Sequence, residues 1–412
     1  MKKTVCFLII PILLFLWACS DDVNDSDNFP DAKPVDLRSE LRPRIEQDNL
    51  FAWDLFKTLS GETEDPNIFI SPLSVSMALS MTMNGAKGAT REEMETALRI
   101  SGFSEDEINE YCKTLREALL KADPLTQINI ANSIWYHMGF PVENYFVQTN
   151  KIHFNAEVRE VDFMDPQTTD RINRWCADNT NNKIPKIIDG VSADVVMYLI
   201  NAIYFKGMWR MKFEKNNTQL KPFYTAEGQS ESVKMMKMTS EFNYTSDNQA
   251  GYLELPYGNN AFSMVVILPH EDKTIDDVVA NLNADAWNRN LKTLGAVKVN
   301  LELPCFKSEC EYRLPTVLNK MGMVIPFTRL ADFRGISRGG GLSISDVIHK
   351  TFIEVNEEGT EAAAVTVVSM FTSSSSQQQP PVIDFFVNKP FLYVIKENST
   401  NVILFAGKMS RP

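Results

Sequence analysis

The sequence predicts a globular chain that mixes helices with strands, and three observations carry that prediction. The composition is that of a folded domain, 44% hydrophobic and 23% charged. Leu41 to Leu59 sets apolar residues at helical spacing and reads as an amphipathic helix. Gly359 to Phe371 is small and β-branched, and read at period two it puts Thr360, Ala362, Ala364, Thr366, Val368 and Met370 on one small, nearly apolar face. No proline interrupts Gly359–Gln379, so a central-strand position is open to this stretch.

At the N-terminus, Met1-Lys2-Lys3 is basic and Val5 to Trp17 is apolar but short for a bilayer span. Residues 1–18 therefore read as a secretory leader. Leu16-Trp17-Ala18-Cys19 resembles a bacterial lipoprotein box, which implies lipidation at Cys19. Ser20-Asp21-Asp22 and the acidic, Asn-rich residues to Asp36 read as a solvated tether over 19–40. An acidic cluster in that place resembles the surface-export signal of Bacteroidetes lipoproteins. An outer-membrane address facing outward is the expectation.

The net charge is −12, and loss of the leader leaves 39 of the 41 basic residues against 53 acidic ones. That balance argues against nucleic acid, heparin-like polyanions and anionic membrane surfaces as partners. Membrane contact is expected through the lipid anchor only. Cys6 and Cys19 belong to the export segment; Cys112, Cys176, Cys305 and Cys310 lack zinc spacing and read as buried free thiols. Cys305 and Cys310 would face opposite sides of one continuous strand. His137, His153, His270 and His349 form no metal set, and no Gly-rich phosphate loop is complete. No cofactor or metal is expected, and the chain shows no internal repeat.

Beyond the first helix, Asn67-Ile68-Phe69-Ile70-Ser71-Pro72-Leu73-Ser74 places a proline in the first turn of a helix that Ser71 can cap. This motif, followed by Asn84-Gly85-Ala86-Lys87-Gly88-Ala89-Thr90, resembles the serpins. The resemblance continues in order. Ile172-Asn173-Arg174-Trp175 and Thr180 to Ile184 match the helix that lies across the main sheet. Leu199 to Trp209 matches a strand of that sheet. Val233 to Met236, Leu253-Glu254-Leu255-Pro256-Tyr257 and Leu301 to Phe306 match further strands. Asn388-Lys389-Pro390-Phe391 and Leu404 to Lys408 close the chain. A length prior alone suggests two or three domains. The resemblance instead implies one α+β domain over 41–412, with three β-sheets, eight or nine helices and an exposed reactive-centre loop over about 357–387.

One enzyme-like motif competes. Gly335-Ile336-Ser337-Arg338-Gly339 fits Gly-x-Ser-x-Gly, with Asp346 and His349 following in hydrolase order. A nucleophile elbow needs a buried strand before it and a helix after it, and here a triple glycine follows. The motif reads as chance, and no catalytic residue is assigned.

The resemblance implies a suicide-substrate inhibitor: a serine protease cuts the loop, is held as an acyl-enzyme, and the cut loop enters the main sheet as a strand. Glu357, Glu358, Gly359, Thr360, Glu361, Ala362, Ala363 and Ala364 form the implied hinge. Counting from Glu357 puts the scissile bond at Ser373-Ser374, with Thr372, Phe371 and Met370 as alternatives. Counting back from Pro390 reaches Gln379, because this loop is long; the hinge count is preferred, since insertion length determines where the protease is dragged. Ser71, Ser74, Asn201 and His349 resemble the polar cluster that keeps the sheet closed, and Trp209 the tryptophan beneath the insertion point. Cys305 stands where many relatives carry a lysine that pairs with the glutamate matching Glu357, so control of insertion must differ. The alternative is a non-inhibitory serpin acting as a binding or chaperone-like module, which the small residues at Thr360 and Ala362–Ala364 disfavour. The expected partner is a target serine protease, bound covalently by a monomer.

Overall fold

The computed structural model describes residues 29–192, 195–360 and 382–412. Local signals set the helices. Pro43 opens α1 (Pro43–Ser60), which buries Phe51, Trp53, Leu55, Phe56 and Leu59 along one stripe. Ser71 caps α2 (Pro72–Met83) by accepting the Ser74 N–H at 3.2 Å. Nearly all of α2 is buried, as expected of a helix that is apolar around most of its circumference. The others are α3 (Gly88–Ala97), α4 (Glu105–Leu119), α5 (Asn144–Phe154), α6 (Gln167–Asn179), α7 (Ile275–Asn281), α8 (Ala284–Thr293) and α9 (Pro315–Lys320), nine α-helices among the described residues.

Fifteen strands form two hydrogen-bonded networks among the described residues. The first includes β1 (Ile68–Ile70), β5 (Gln219–Tyr224), β6 (Ser230–Ser246), β7 (Ala250–Pro256), β8 (Phe262–Pro269), β9 (Gly295–Pro304), β13 (Ile383–Phe386), β14 (Phe391–Glu397) and β15 (Ile403–Met409). The second runs in the order β10 (Phe306–Arg313), β11 (Ile348–Asn356), β12 (Gly359–Thr360), β4 (Met197–Met208), β2 (Gln127–His137), β3 (Glu157–Val161). Three sheets were expected. Two of them merge because the 17-residue β6 pairs with β5 and β9 along one part and with β7 at its end.

The six-stranded sheet is covered on both faces. Beneath it α2 packs between β4 and β15. Above it α6 builds a second core, where Ile172, Trp175 and Cys176 meet Trp135, Ile200 and Ala202. Such a sheet is stiff unless two neighbouring strands can part. Part of the expected tether is body rather than linker. Val35 and Leu37 are buried, the Val35 N–H donates to Ser399 Oγ at 2.9 Å, and Phe29 lies 4.7 Å from the Arg210 guanidinium. Apolar side chains in an otherwise acidic stretch explain the docking.

Candidate functional site: the seam between two parallel strands

β12 pairs antiparallel with both β11 and β4, so these two neighbours run parallel to each other. Thr360 stands opposite Val355 and Gly207; Gly359 stands opposite Asn356 and Met208. Beyond these two residues no ladder joins β11 to β4 among the described residues. Among the described residues, the seam is therefore filled at one end only.

At the filled end, aromatic rings and charged side chains hold the hinge. Trp209 donates its indole N–H to the Asn356 carbonyl at 2.9 Å and its backbone N–H to the Glu358 carbonyl at 2.9 Å. The Phe213 N–H donates to the Glu357 carbonyl at 3.0 Å. Glu358 pairs with Lys215 at 2.9 Å and lies 3.5 Å from Lys212. The hydrogen bond from Lys215 is the main reason its carboxyl is held below the usual carboxylate range. Glu357 accepts from Thr218 Oγ1 at 2.8 Å. Cys305 does not replace the missing lysine: burial first, and the Glu357 charge second, push its thiol up to about 12, so it stays neutral.

The resemblance implied an exposed loop starting at about residue 357. Glu357 and Glu358 are half-buried, while Gly359 and Thr360 are buried in the sheet. Gly359 is needed for close approach: it has φ +150°, and a Cβ there would lie 2.1 Å from the Gly207 carbonyl oxygen.

About 25 Å further along β4, by strand rise, the second cluster clasps the seam. The Ser71 N–H donates to His349 Nε2 at 2.9 Å, and Ser71 Oγ donates to the Leu404 carbonyl at 2.8 Å. Nε2 is therefore an acceptor, and the imidazole is neutral with its proton on Nδ1. Burial alone lowers the His349 pKa to about 4. Ser74 Oγ donates to Asn201 Oδ1. Asn201 Nδ2 donates to Asn132 Oδ1 at 2.6 Å, and Asn132 Nδ2 to the Phe154 carbonyl at 2.7 Å. A cavity of about 500 Å³ adjoins the cluster, lined by Ser74, Asn201 and His349 together with Val195, Leu199 and Val347. It lies between the start of β4 and the start of β11.

Ser71, Ser74, Asn201 and His349 are thus brought together, whereas Trp209 belongs to the other end. Asn132, Lys212, Lys215, Thr218 and Tyr257 were not singled out. Tyr257 closed a quoted strand motif, but nothing in the sequence tied it to the hinge. Ser337 lies in a turn, Asp346 pairs with Arg313, and His349 is taken by Ser71, so the Gly-x-Ser-x-Gly residues form no triad. Cys112 and Cys176 are buried free thiols; Cys305 and Cys310 are free but only half-buried, and Cys305 falls between β9 and β10 rather than within one strand. Cys19, hinge residues Glu361–Ala364, the bond Ser373-Ser374 and its alternatives Thr372, Phe371 and Met370 lie outside the described residues.

The serpin family profile, described as a serine protease inhibitor, matches residues 46–412. The chain is 33% identical to an uncharacterized serpin-like protein of Thermococcus kodakarensis, over 100% of this chain and 99% of that one. It is 35% identical to a leukocyte elastase inhibitor of Xenopus laevis, over 88% of this chain and 97% of the relative. The crystal structure of the thermophilic serpin tengpin in its native state superposes with a TM-score of 0.82 at 32% identity, covering 93% of this chain and 98% of tengpin. The chain belongs to the serpin family, and the α+β architecture is the serpin fold.

Proposed function

We propose that this protein is a suicide-substrate inhibitor of elastase-like or subtilisin-like serine proteases. The carrying observation is that Gly359 and Thr360 already pair between β4 and β11, so the next residues have a ladder to extend. Continuing that register brings Thr366 level with both Asn201 and His349, and Met370 level with Met197, where β4 begins. Insertion would thus give the gate a threonine as a new partner. A strand of Glu361–Met370 would span β4, leaving the cut at Ser373-Ser374 just past its end. A cut at Gln379 would trail a much longer tail, which supports the count from the hinge.

The target's serine oxygen attacks the Ser373 carbonyl, the bond to Ser374 breaks, and Ser374 leaves as a free amine. Insertion then drags the ester-linked protease along the seam before water completes deacylation. Inhibition requires insertion to outrun hydrolysis. Thr372-Ser373-Ser374, with no Arg or Lys from Gly359 to Val387, suits pockets for small uncharged side chains. A trypsin-like pocket would keep a buried carboxylate unpaired. Phe371 leaves a chymotrypsin-like target open. The test is a serine-protease panel scored for SDS-stable adducts, with the cut mapped by mass spectrometry. Rapid stoichiometric inhibition of trypsin but not elastase overturns the target class.

The protein acts as a monomer anchored at the outer membrane through lipid on Cys19, its body facing outward. A Cys19→Ala variant should leave the membrane fraction; retention there would mean a different anchor.

A further inference from the structure

We infer that Tyr257 is a positioning residue that holds Thr360 in the seam before any cut and so seeds insertion; the inference rests on the loop-insertion reading above. The Tyr257 ring is fully buried, stacked on Trp209 at 4.6 Å and 9°, with Phe205 edge-on at 5.2 Å. Its hydroxyl meets Thr360 Oγ1 at 2.6 Å, and Thr360 is 2% exposed. Among the described residues neither hydroxyl has another hydrogen-bond partner.

The surroundings fix the ring for this task. The Tyr257 N–H donates to the Phe262 carbonyl, and the Gly258 N–H donates to the Met208 carbonyl, both at 2.9 Å, tying the turn to the end of β4. Gly207, the β4 residue opposite Thr360, is what admits the ring: a Cβ there would lie 2.8 Å from Cδ1 of Tyr257. The stacked Trp209 grips the hinge turn through the Asn356 and Glu358 carbonyls. One aromatic pair therefore holds the turn from its backbone and the first inserted side chain from its hydroxyl.

Withdrawal of β12 orphans the Tyr257 hydroxyl in an apolar site, which is unfavourable. The uncut protein is therefore biased toward a hinge that is already inside. After the cut, insertion lengthens an existing ladder rather than starting one. Losing one hydroxyl of the pair, with its partner left unsatisfied, is worth about fivefold in the balance between insertion and its competitor, deacylation.

The test uses the full chain, a protease that it traps, and three variants: Tyr257→Phe, Thr360→Val and the double. The ratio of cleaved to trapped product is measured, together with the part of the tryptophan emission that Trp209→Phe removes. Each single variant should raise the ratio about fivefold and shift the Trp209 emission without protease present. The double variant, with both hydroxyls gone, should return to within about twofold of the parent. Single variants at the parental ratio, or effects that multiply in the double, overturn the positioning role and leave loop insertion standing. A parent that forms no SDS-stable adduct overturns the loop-insertion reading instead. In that case non-additive Trp209 emission across the four proteins supports the Tyr257–Thr360 tie, and additive or absent shifts overturn it.

Discussion

The two ends of the seam between β4 and β11 solve opposite problems. At the Trp209 end, backbone is already paired with backbone: β12 fills the gap, and its hydrogen bonds are those a longer inserted strand would repeat. At the His349 end no strand lies between among the described residues, and side chains from α2, β2, β4 and β11 reach one another beside a cavity of about 500 Å³. One end is a finished fragment of the inserted state. The other is a clasp that must be exchanged for it. For the proposed insertion, the contrast would put the chief barrier at the polar clasp, since buried polar groups need each partner replaced as it is lost.

The strongest way to break this picture is Thr360→Arg. Thr360 is buried at the filled end, and an unpaired buried charge costs several kcal/mol even after relaxation. The variant should be cleaved at the same bond as the parent, with no lasting adduct on SDS gels. Trapping at the parental level would mean that the filled end plays no part in inhibition.

A second probe is pH, acting on the clasp. The folded-state pKa of His349 is depressed to about 4, so below about 6.5 the unfolded chain binds a proton that the folded state resists. The stability is fully present above pH 6.5 and declines as pH falls toward 4, by about 3 kcal/mol in all. Denaturant unfolding of the parent and of His349→Gln should show the parent's advantage shrinking across that window. A constant difference between pH 7 and 4 would show that the imidazole does not titrate in the clasp.

Ser74→Ala should have a smaller effect at the same end. It removes the donor to Asn201 and leaves the helix cap at Ser71 intact, lowering stability by about 1 kcal/mol. Thermal unfolding measures it. Glu358→Gln at the filled end should be smallest, because Lys215 is largely exposed. Its effect on the melting temperature should fade as salt is raised, whereas that of Ser74→Ala should not.

Much of this was legible in the chain. Ser71-Pro72 announced a capped helix through local chemistry, and α2 begins there. Leu199 to Trp209 read as a strand of the main sheet, and β4 occupies it. Ser71, Ser74, Asn201 and His349 were grouped by resemblance to ordered motifs. Their companion Asn132 was not, because its place opposite Asn201 depends on the register between β2 and β4. Tyr257 was missed for a similar reason: its partner lies 103 positions away and is brought near only when β12 enters the sheet. The hinge was misjudged in one respect. Gly359 was placed in an exposed loop, whereas the structure buries it and needs glycine there for contact with the Gly207 carbonyl.

The turn joining β11 to β12 bears on how the chain first folds. Only Glu357 and Glu358 lie between the paired residues Asn356 and Gly359, and neither has a positive φ. Two-residue hairpins are most stable when their turn residues adopt positive φ, because the twist then suits both strands. This hairpin is consequently weak on its own, although its partners are close in sequence and would otherwise meet within microseconds. It becomes firm only when Trp209 and Phe213, about 150 residues earlier in the chain, supply their N–H groups. Pairing of β12 with β11 is thereby coupled to the presence of β4, a strand distant in sequence.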